Sequence, residues 1–389
     1  MLRTLLILLG FFIFFSPGLA QQAALPNVFV WESTIHAGYI VRNSGDLPKN
    51  RMPFFISLNP SVQTSGKNDW NQALGFPRVG CRITLGDLGN KRELGYMLGL
   101  TPNMTFKSLA ARWYVPAVNL GLGIAWFNKP FNMKSNPGNF YIGSQITALA
   151  EASVQVEPKI NNRTFSIIGI RVIHNSNGHY QVPNLGMNTL SLYMGILFNS
   201  KMLVKPEIRD LNVPKSKIHL NLRSGIGIHE LARTFGPTGT PKYAIYVNDI
   251  YLSKLYGKVS NIHFGLEVNY YKSYYDFTVN HNLFTEDRKL KSTVFTAFLA
   301  HELMLKRVSL LTQGGINLYN KFYNAYINQY KSEQGMSLAL KKMISTRLGI
   351  QYYLFDPQYC SRTNVFVGAY IKAHFGQADF VCFQVGLVL

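Results

Sequence analysis

Apolar and polar residues alternate along most of the chain from Val28 onward, in runs that are separated by clusters of glycine, asparagine, proline and lysine. This period of two is typical of β-strands with one apolar and one polar face. It predicts sixteen runs, of which the short early ones could merge, so twelve to sixteen strands are expected. They are 29–42, 52–64, 79–87, 93–107, 111–128, 139–157, 163–176, 187–199, 216–231, 241–257, 262–279, 290–306, 308–320, 341–355, 363–375 and 378–389.

The two faces of these runs indicate an all-β protein, an antiparallel transmembrane β-barrel. Many runs have ten or more residues, one face carries small or polar residues, and an apolar strand ends the chain. Such a barrel has an apolar outer wall and a polar lumen. A soluble β-sandwich shows the same period with its apolar face buried, and it is the less favoured alternative.

Composition and targeting agree with an exported membrane protein. Only 15% of the residues are charged and 13% are aromatic, whereas soluble domains carry about 25% charged residues. Residues 1–20 have the basic start, apolar run and small-residue end of a cleaved signal peptide. The apolar run is shorter than the roughly 20 residues of a transmembrane helix. No linker divides residues 21–389, which we therefore expect to form one barrel domain.

The chain is strongly basic, with a formal net charge of +20. In an exported barrel the phosphates of anionic lipid head groups are the natural counter-ions, and nucleic acid is not expected as a partner. The three cysteines (Cys81, Cys360 and Cys382) have no metal-site spacing. Neither a metal ion nor a cofactor is expected.

Polar residues gather between residues 171 and 188. Arg171 should face the lumen, because a charge on the lipid face costs about 2–4 kcal/mol at mid-membrane. His174 and Ser176 have the opposite parity, and Asn188 shares the parity of the outward residues of the next strand. The seventh strand runs outward if the N-terminus is periplasmic. The three polar side chains should then meet on the outer wall at the extracellular rim.

A histidine beside a serine is the minimal pair for nucleophilic acyl chemistry, since the imidazole accepts the proton of the hydroxyl. Asn177 and Asn184 in the following loop could donate hydrogen bonds to an oxyanion. The alternative interpretation is that these residues have no catalytic role, because a His-x-Ser spacing is common and polar residues occur at the rim of any barrel.

A motif in this stretch resembles the signature of the outer-membrane lipid A 3-O-deacylases and the related acyloxyacyl hydrolase-like barrels of Gram-negative bacteria; it is His174-x-Ser176-Asn177, then Pro183-Asn184-x-Gly186-x-Asn188. The resemblance implies His174 as the base and Ser176 as the nucleophile on an acyl ester of lipid A. It further implies Asn184 in oxyanion stabilisation, with Asn177 in support. The substrate would be lipid A or a related lipopolysaccharide in the bacterial outer membrane.

One residue departs from the family pattern, because Asn188 stands where the deacylases have a glutamate. An amide can orient the imidazole as third member of the catalytic set but cannot stabilise an imidazolium as an anion does. Glu230, at the outer end of the ninth strand, is a conceivable replacement acid. Two strand spacings of about 4.8 Å would separate it from His174, too far without local bending. The alternative function is a non-catalytic outer-membrane barrel, either a pore or a structural protein, that binds lipopolysaccharide.

Overall fold

The computed structural model describes residues 28–42, 47–108, 113–202, 217–231, 239–330, 336–357 and 363–389. The expected signal peptide at residues 1–20 and Cys360 lie outside these residues. None of the helices in the described ranges is both long enough and apolar enough to span a membrane.

The described residues form two sets of eight antiparallel strands, so the predicted fold class is confirmed. The first set is β1 (Val28–Val41), β2 (Phe54–Gln63), β3 (Arg78–Asp87), β4 (Tyr96–Lys107), β5 (Tyr114–Phe127), β6 (Ile146–Pro158), β7 (Thr164–Ser176) and β8 (Met187–Asn199). The second is β9 (Ile218–Glu230), β10 (Lys242–Tyr256), β11 (Ser260–Tyr271), β12 (Thr293–Leu305), β13 (Val308–Tyr319), β14 (Ile344–Tyr353), β15 (Asn364–His374) and β16 (Gln377–Val388).

Each set closes on itself into a separate barrel. In the first barrel β8 pairs with β1, with Leu190 opposite Tyr39. In the second barrel β16 pairs with β9, with Phe383 opposite Ile226. This division differs from the single barrel expected over residues 21–389. Eight strands already enclose a lumen that side chains can fill, so each set is complete without the other.

The outer walls are apolar, as the alternation predicts. Outward side chains such as Ile170, Leu192, Phe264 and Val385 are each more than half exposed. A wall of this kind is stable against lipid, where water does not penalise the exposed hydrocarbon.

The lumens are filled by paired charges. In the first barrel Arg82 binds both Glu32, at 2.9 Å, and Glu151. In the second barrel Arg223 binds Asp249 at 2.8 Å. All of these side chains are almost fully buried. Buried charges are tolerated only when each has its partners. Packed lumens of this kind give no support to a pore function.

In the part of the chain that the structure describes, the connections contain five helices: α1 (Asp69–Ala73), α2 (Lys272–Asn280), α3 (Arg288–Lys291), α4 (Lys321–Tyr330) and α5 (Met336–Met343). The alternation predicted one strand over 262–279, but β11 ends at Tyr271 and residues 272–279 are helical, so the prediction is wrong beyond Tyr271. Tyr271 and Tyr274 are buried and stack at 4.2 Å between ring centroids. The chain turns from strand to helix after Tyr271, so the helical period directs Tyr274 inward.

Candidate active site

Strand β7 separates the polar residues as its parity predicts. Arg171 is fully buried in the lumen, where its Nη1 lies 3.3 Å from Nε2 of His36. Val172 is 46% exposed on the outer wall, and His174, two residues further along the same face, is exposed as well. The imidazole of His174 therefore lies on the outer surface of the first barrel, near the end of the strand.

The partner of this imidazole is the residue directly across the sheet. His174 and Asn188 are paired in the β7–β8 register, and the two side chains of such a pair lie about 5 Å apart at Cβ. Nδ1 of His174 is 2.7 Å from Oδ1 of Asn188. With that oxygen as acceptor, Nδ1 carries the proton and the lone pair of Nε2 is left to act as a base.

Gly186 allows the chain to pass close to the same imidazole. Its φ is +72°, and a Cβ atom built on it would lie 3.2 Å from Cε1 of His174 and 3.2 Å from the carbonyl oxygen of Asn175. Both the backbone conformation and the short approach favour glycine. Glycine at position 186 therefore leaves space for the imidazole ring of His174.

Ser176 ends β7 and is held by two hydrogen-bond donors. Its Oγ accepts hydrogen bonds from Nδ2 of Asn184 at 3.0 Å and from the backbone N–H of Gly178 at 3.2 Å. Amide donors of this type stabilise oxyanions in acyl-transfer enzymes. In the described residues no hydrogen bond joins Ser176 to His174, and catalytic hydrogen bonds are often longer without substrate.

The position of Ser176 differs from the sequence expectation in one respect. It has the outward parity of Val172 and His174, yet it is only 9% exposed, because residues 177–186 fold over it. We call residues 177–186 the cover loop. Asn177 and Asn184, predicted as supporting residues, are buried within it.

Side-chain amides give the cover loop its shape. The N–H of Asn177 donates to Oδ1 of Asn184 at 3.2 Å, and Nδ2 of Asn177 donates to the carbonyl of Gln181 at 2.7 Å. The N–H of His179 donates to Oδ1 of Asn177 at 2.9 Å. Asn184 therefore uses one end of its amide to hold the loop and the other to contact Ser176.

The connection between β5 and β6 supports the cover loop through backbone contacts and hydrogen bonds. Leu185 N–H donates to the carbonyl of Phe140 at 3.2 Å, and Nε2 of Gln181 donates to the carbonyl of Gly143 at 2.6 Å. A Cβ atom on Gly143 would lie 2.0 Å from the carbonyl oxygen of Pro183. The alternation of apolar and polar residues does not indicate these contacts, because they join two loops.

Glu230 has a different role from the replacement acid considered from the sequence. Its Oε2 accepts the N–H of Val182 at 2.8 Å, and its Oε1 accepts the N–H and the hydroxyl of Thr240, each at 2.8 Å. These bonds direct the carboxylate to the cover loop and to its own barrel. The acid hypothesis, which required a contact with His174, is therefore not supported.

A Ser–His–Asp cluster, which the sequence did not indicate, lies at the end of the second barrel. Oγ of Ser273 is 2.5 Å from Nε2 of His229, and Nδ1 of His229 is 3.8 Å from Oδ1 of Asp379. Tyr271 donates to Oδ2 of Asp379 at 2.6 Å. Ser273 and His229 are at most 2% exposed. The cluster packs α2 against the barrel and offers substrate no access, in contrast to the exposed imidazole of His174.

Several solved structures share features with the chain. One is the crystal structure of the outer membrane enzyme PagL, with 19% sequence identity and a TM-score of 0.30. The match covers 42% of this chain and 97% of the PagL chain. OccK5 (OpdH) from Pseudomonas aeruginosa is 8% identical over 93% of this chain and 97% of its own, with a TM-score of 0.21. The β-domain of the Bordetella autotransporter BrkA is 10% identical over 93% and 98%, with a TM-score of 0.23. No match was found among curated proteins.

Two family models match the chain, one for each barrel. The model described as lipid A 3-O-deacylase (PagL) matches residues 56–196. The model described as the C-terminal domain of acyloxyacyl hydrolase matches residues 218–389. The gap between the two matches coincides with the connection between β8 and β9. The chain therefore belongs to the lipid A 3-O-deacylase and acyloxyacyl hydrolase-like family of outer-membrane β-barrels.

Proposed function

We propose that the protein is an outer-membrane esterase that removes ester-linked acyl chains from lipid A or a related lipopolysaccharide. Membership of the deacylase family supports outer-membrane lipid A deacylation. The observation that carries the catalytic assignment is the 2.7 Å bond between His174 and Asn188, which fixes an exposed imidazole on the outer wall. Ser176, His174 and Asn188 are the proposed catalytic set, with Asn184 and Asn177 in support.

The chemistry is a two-step acyl transfer. Oγ of Ser176 attacks the ester carbonyl and gives its proton to Nε2 of His174. The negative charge moves to the carbonyl oxygen, within reach of the amide of Asn184 and the N–H of Gly178, which already bind Oγ. The tetrahedral species expels the sugar alkoxide, which takes the proton from His174. Water, deprotonated by the same imidazole, then hydrolyses the acyl-serine and releases a fatty acid.

The surroundings of the site suit a lipid substrate. Ile170, Val172, Leu192 and Met194 are exposed apolar side chains on β7 and β8, on the same wall as His174. An acyl chain that moves from the bilayer onto this wall stays in contact with hydrocarbon, so binding exposes no apolar surface to water. The long connections of both barrels, such as 128–145 and 272–292, lie at the site's end of the strands, and long connections are typical of the extracellular end.

The decisive experiment incubates the wild-type protein, Ser176→Ala and His174→Ala with purified lipid A. Mass spectrometry then measures the remaining lipid A and the released fatty acid. Both variants should lose acyl release while retaining the heat-modifiable gel mobility of a folded barrel. Ser224→Ala and His301→Ala are matched controls, because both residues are exposed on the second barrel. Wild-type rates in Ser176→Ala and His174→Ala would refute the catalytic assignment.

The presence of Asn188 instead of an acid favours a second candidate function, a barrel that binds lipopolysaccharide without cleaving it. This alternative predicts that the wild-type protein binds lipid A in detergent and releases no fatty acid. The same mass-spectrometric assay, run with the wild type alone over long incubation, separates the two functions.

A further inference from the structure

The cover loop is bound from two sides, and one of them belongs to the second barrel. The N–H of Val182, near the middle of the loop, donates to Oε2 of Glu230 at 2.8 Å. The backbone N–H of Glu230 in turn donates to the carbonyl of His179 at 3.2 Å. The last residue of β9 therefore forms two hydrogen bonds with the loop that covers Ser176.

Neighbouring strands of the second barrel add contacts to the same loop. Lys242, which pairs with Glu230 across the β9–β10 register, has its ammonium 5.0 Å from the ring centroid of Tyr180, a cation–π distance. A Cβ atom on Gly178 would lie 2.4 Å from Cγ1 of Val381 in β16. The second barrel thus fits closely against the cover loop at a residue that has no side chain.

The environment of Glu230 shows that its contact with the cover loop is buried and fully hydrogen-bonded. The residue is 1% exposed, and its carboxylate receives three hydrogen bonds, one from the loop and two from Thr240. A buried carboxylate is stable only when donors satisfy it, and such charge-assisted bonds are stronger than neutral ones. Removing the carboxylate would leave the N–H groups of Val182 and Thr240 without an acceptor.

We propose that Glu230 is a positioning residue for the esterase, through which the second barrel holds the cover loop in its active conformation. This inference rests on the proposed function. Val182 lies two residues before Asn184, whose amide contacts Ser176. A loop that moves at Val182 carries the Asn184 amide away from the oxygen it must stabilise. The second barrel then contributes to turnover without touching the substrate.

The test uses the full chain with Glu230→Gln and Glu230→Ala. The matched control is Asp69→Asn, which breaks a 2.8 Å ion pair with Lys258 between the two barrels at the opposite end of the strands. One readout is kcat and KM for lipid A. The other is hydrogen–deuterium exchange of peptides that cover residues 177–186, which needs no activity.

Glu230→Ala should lower kcat by about tenfold or more with KM within about twofold, because the lost interaction acts on the transition state. The kcat of Glu230→Gln should fall between those of Glu230→Ala and the wild type, since the amide oxygen can still accept hydrogen bonds from one of its two neighbours, Val182 or Thr240. Exchange in the cover loop should rise in both variants, and Asp69→Asn should match the wild type in all readouts.

Two outcomes would overturn the inference: unchanged loop exchange in Glu230→Ala, or a kcat for that variant equal to that of the wild type. Failure of the proposed function is separate, since it appears as retained activity in Ser176→Ala, whatever the behaviour of Glu230→Ala. In a wild type without turnover, the exchange readout alone decides whether Glu230 holds the loop.

Discussion

Nδ1 of His174 lies 2.7 Å from Oδ1 of Asn188, so the imidazole is oriented by a neutral amide in the position where the deacylase signature has an acid. The geometry of an orienting third residue is retained, and its negative charge is absent. Orientation fixes the tautomer, whereas the charge stabilises the imidazolium that forms when the serine proton is transferred. The two contributions can therefore be separated in this protein.

Asn188→Asp should raise kcat, because aspartate places a carboxylate oxygen where Oδ1 now binds Nδ1. The reverse change in a serine protease lowers kcat by about 10⁴, which sets the upper limit of the gain. We expect at least about a tenfold increase in fatty acid release. Asn188→Leu, which keeps the volume and removes the acceptor, should lower the rate. A rate for Asn188→Asp at or below the wild-type value would contradict a catalytic role of this position.

Asn184→Asp and Asn184→Ala should each lower kcat by about 10²–10³, the usual effect of losing one oxyanion donor. The aspartate keeps the acceptor for the N–H of Asn177 and loses only the donor to Ser176. Equal losses in both variants would assign the effect to the donor. Retained turnover in Asn184→Asp would show that the amide serves the loop alone. Steady-state release of fatty acid is the measurement.

Gly186→Ala should reduce turnover more than Gly75→Ala does. Both glycines have φ near +70°, so both substitutions carry a similar left-handed backbone penalty of about 1–2 kcal/mol. At Gly186 the new methyl also approaches the ring of His174, whereas nothing lies within 4 Å of a Cβ at Gly75. A difference in kcat between the two folded variants measures displacement of the imidazole. Identical rates would exclude this steric role.

Arg82→Ala should destabilise the first barrel by about 3–5 kcal/mol, because it leaves the buried carboxylates of Glu32 and Glu151 without their shared partner. Lys258→Ala removes a partly exposed ion pair with Asp69 and should change stability by about 0–1 kcal/mol. Urea unfolding in detergent micelles, followed by tryptophan fluorescence, gives both values. A small loss in Arg82→Ala would indicate that water enters the lumen.

Alternation alone was enough to predict where several residues of the candidate site lie. Parity correctly placed Arg171 in the lumen and His174 outside, because a charge and an apolar wall cannot share a face in lipid. Asn188, assigned to the same outer face, is the cross-strand neighbour of His174. These features depend on the alternation within a strand and on the pairing of strands that are consecutive in the chain, and both can be derived from the sequence.

The contacts that depend on distant parts of the chain could not be predicted in this way. Parity does not say that β8 returns to β1 or that β16 returns to β9, since closure depends on strand edges far apart in sequence. The burial of Ser176 depends on a loop that folds back over the wall. Glu230 was expected at the outer end of the ninth strand, and alternation could not predict that its carboxylate binds Val182 in a loop of the other barrel.

Closure of each sheet has a consequence for how the two halves of the molecule stay together. Among the described strands, each barrel leaves no edge free for the other, and the two barrels meet through side chains and loops, as at Glu230–Val182 and Asp69–Lys258. Contacts of limited extent suffice for two modules on one polypeptide, because tethering makes their association intramolecular. The second barrel can therefore bind the loop over Ser176 as an intramolecular partner, without a separate protein.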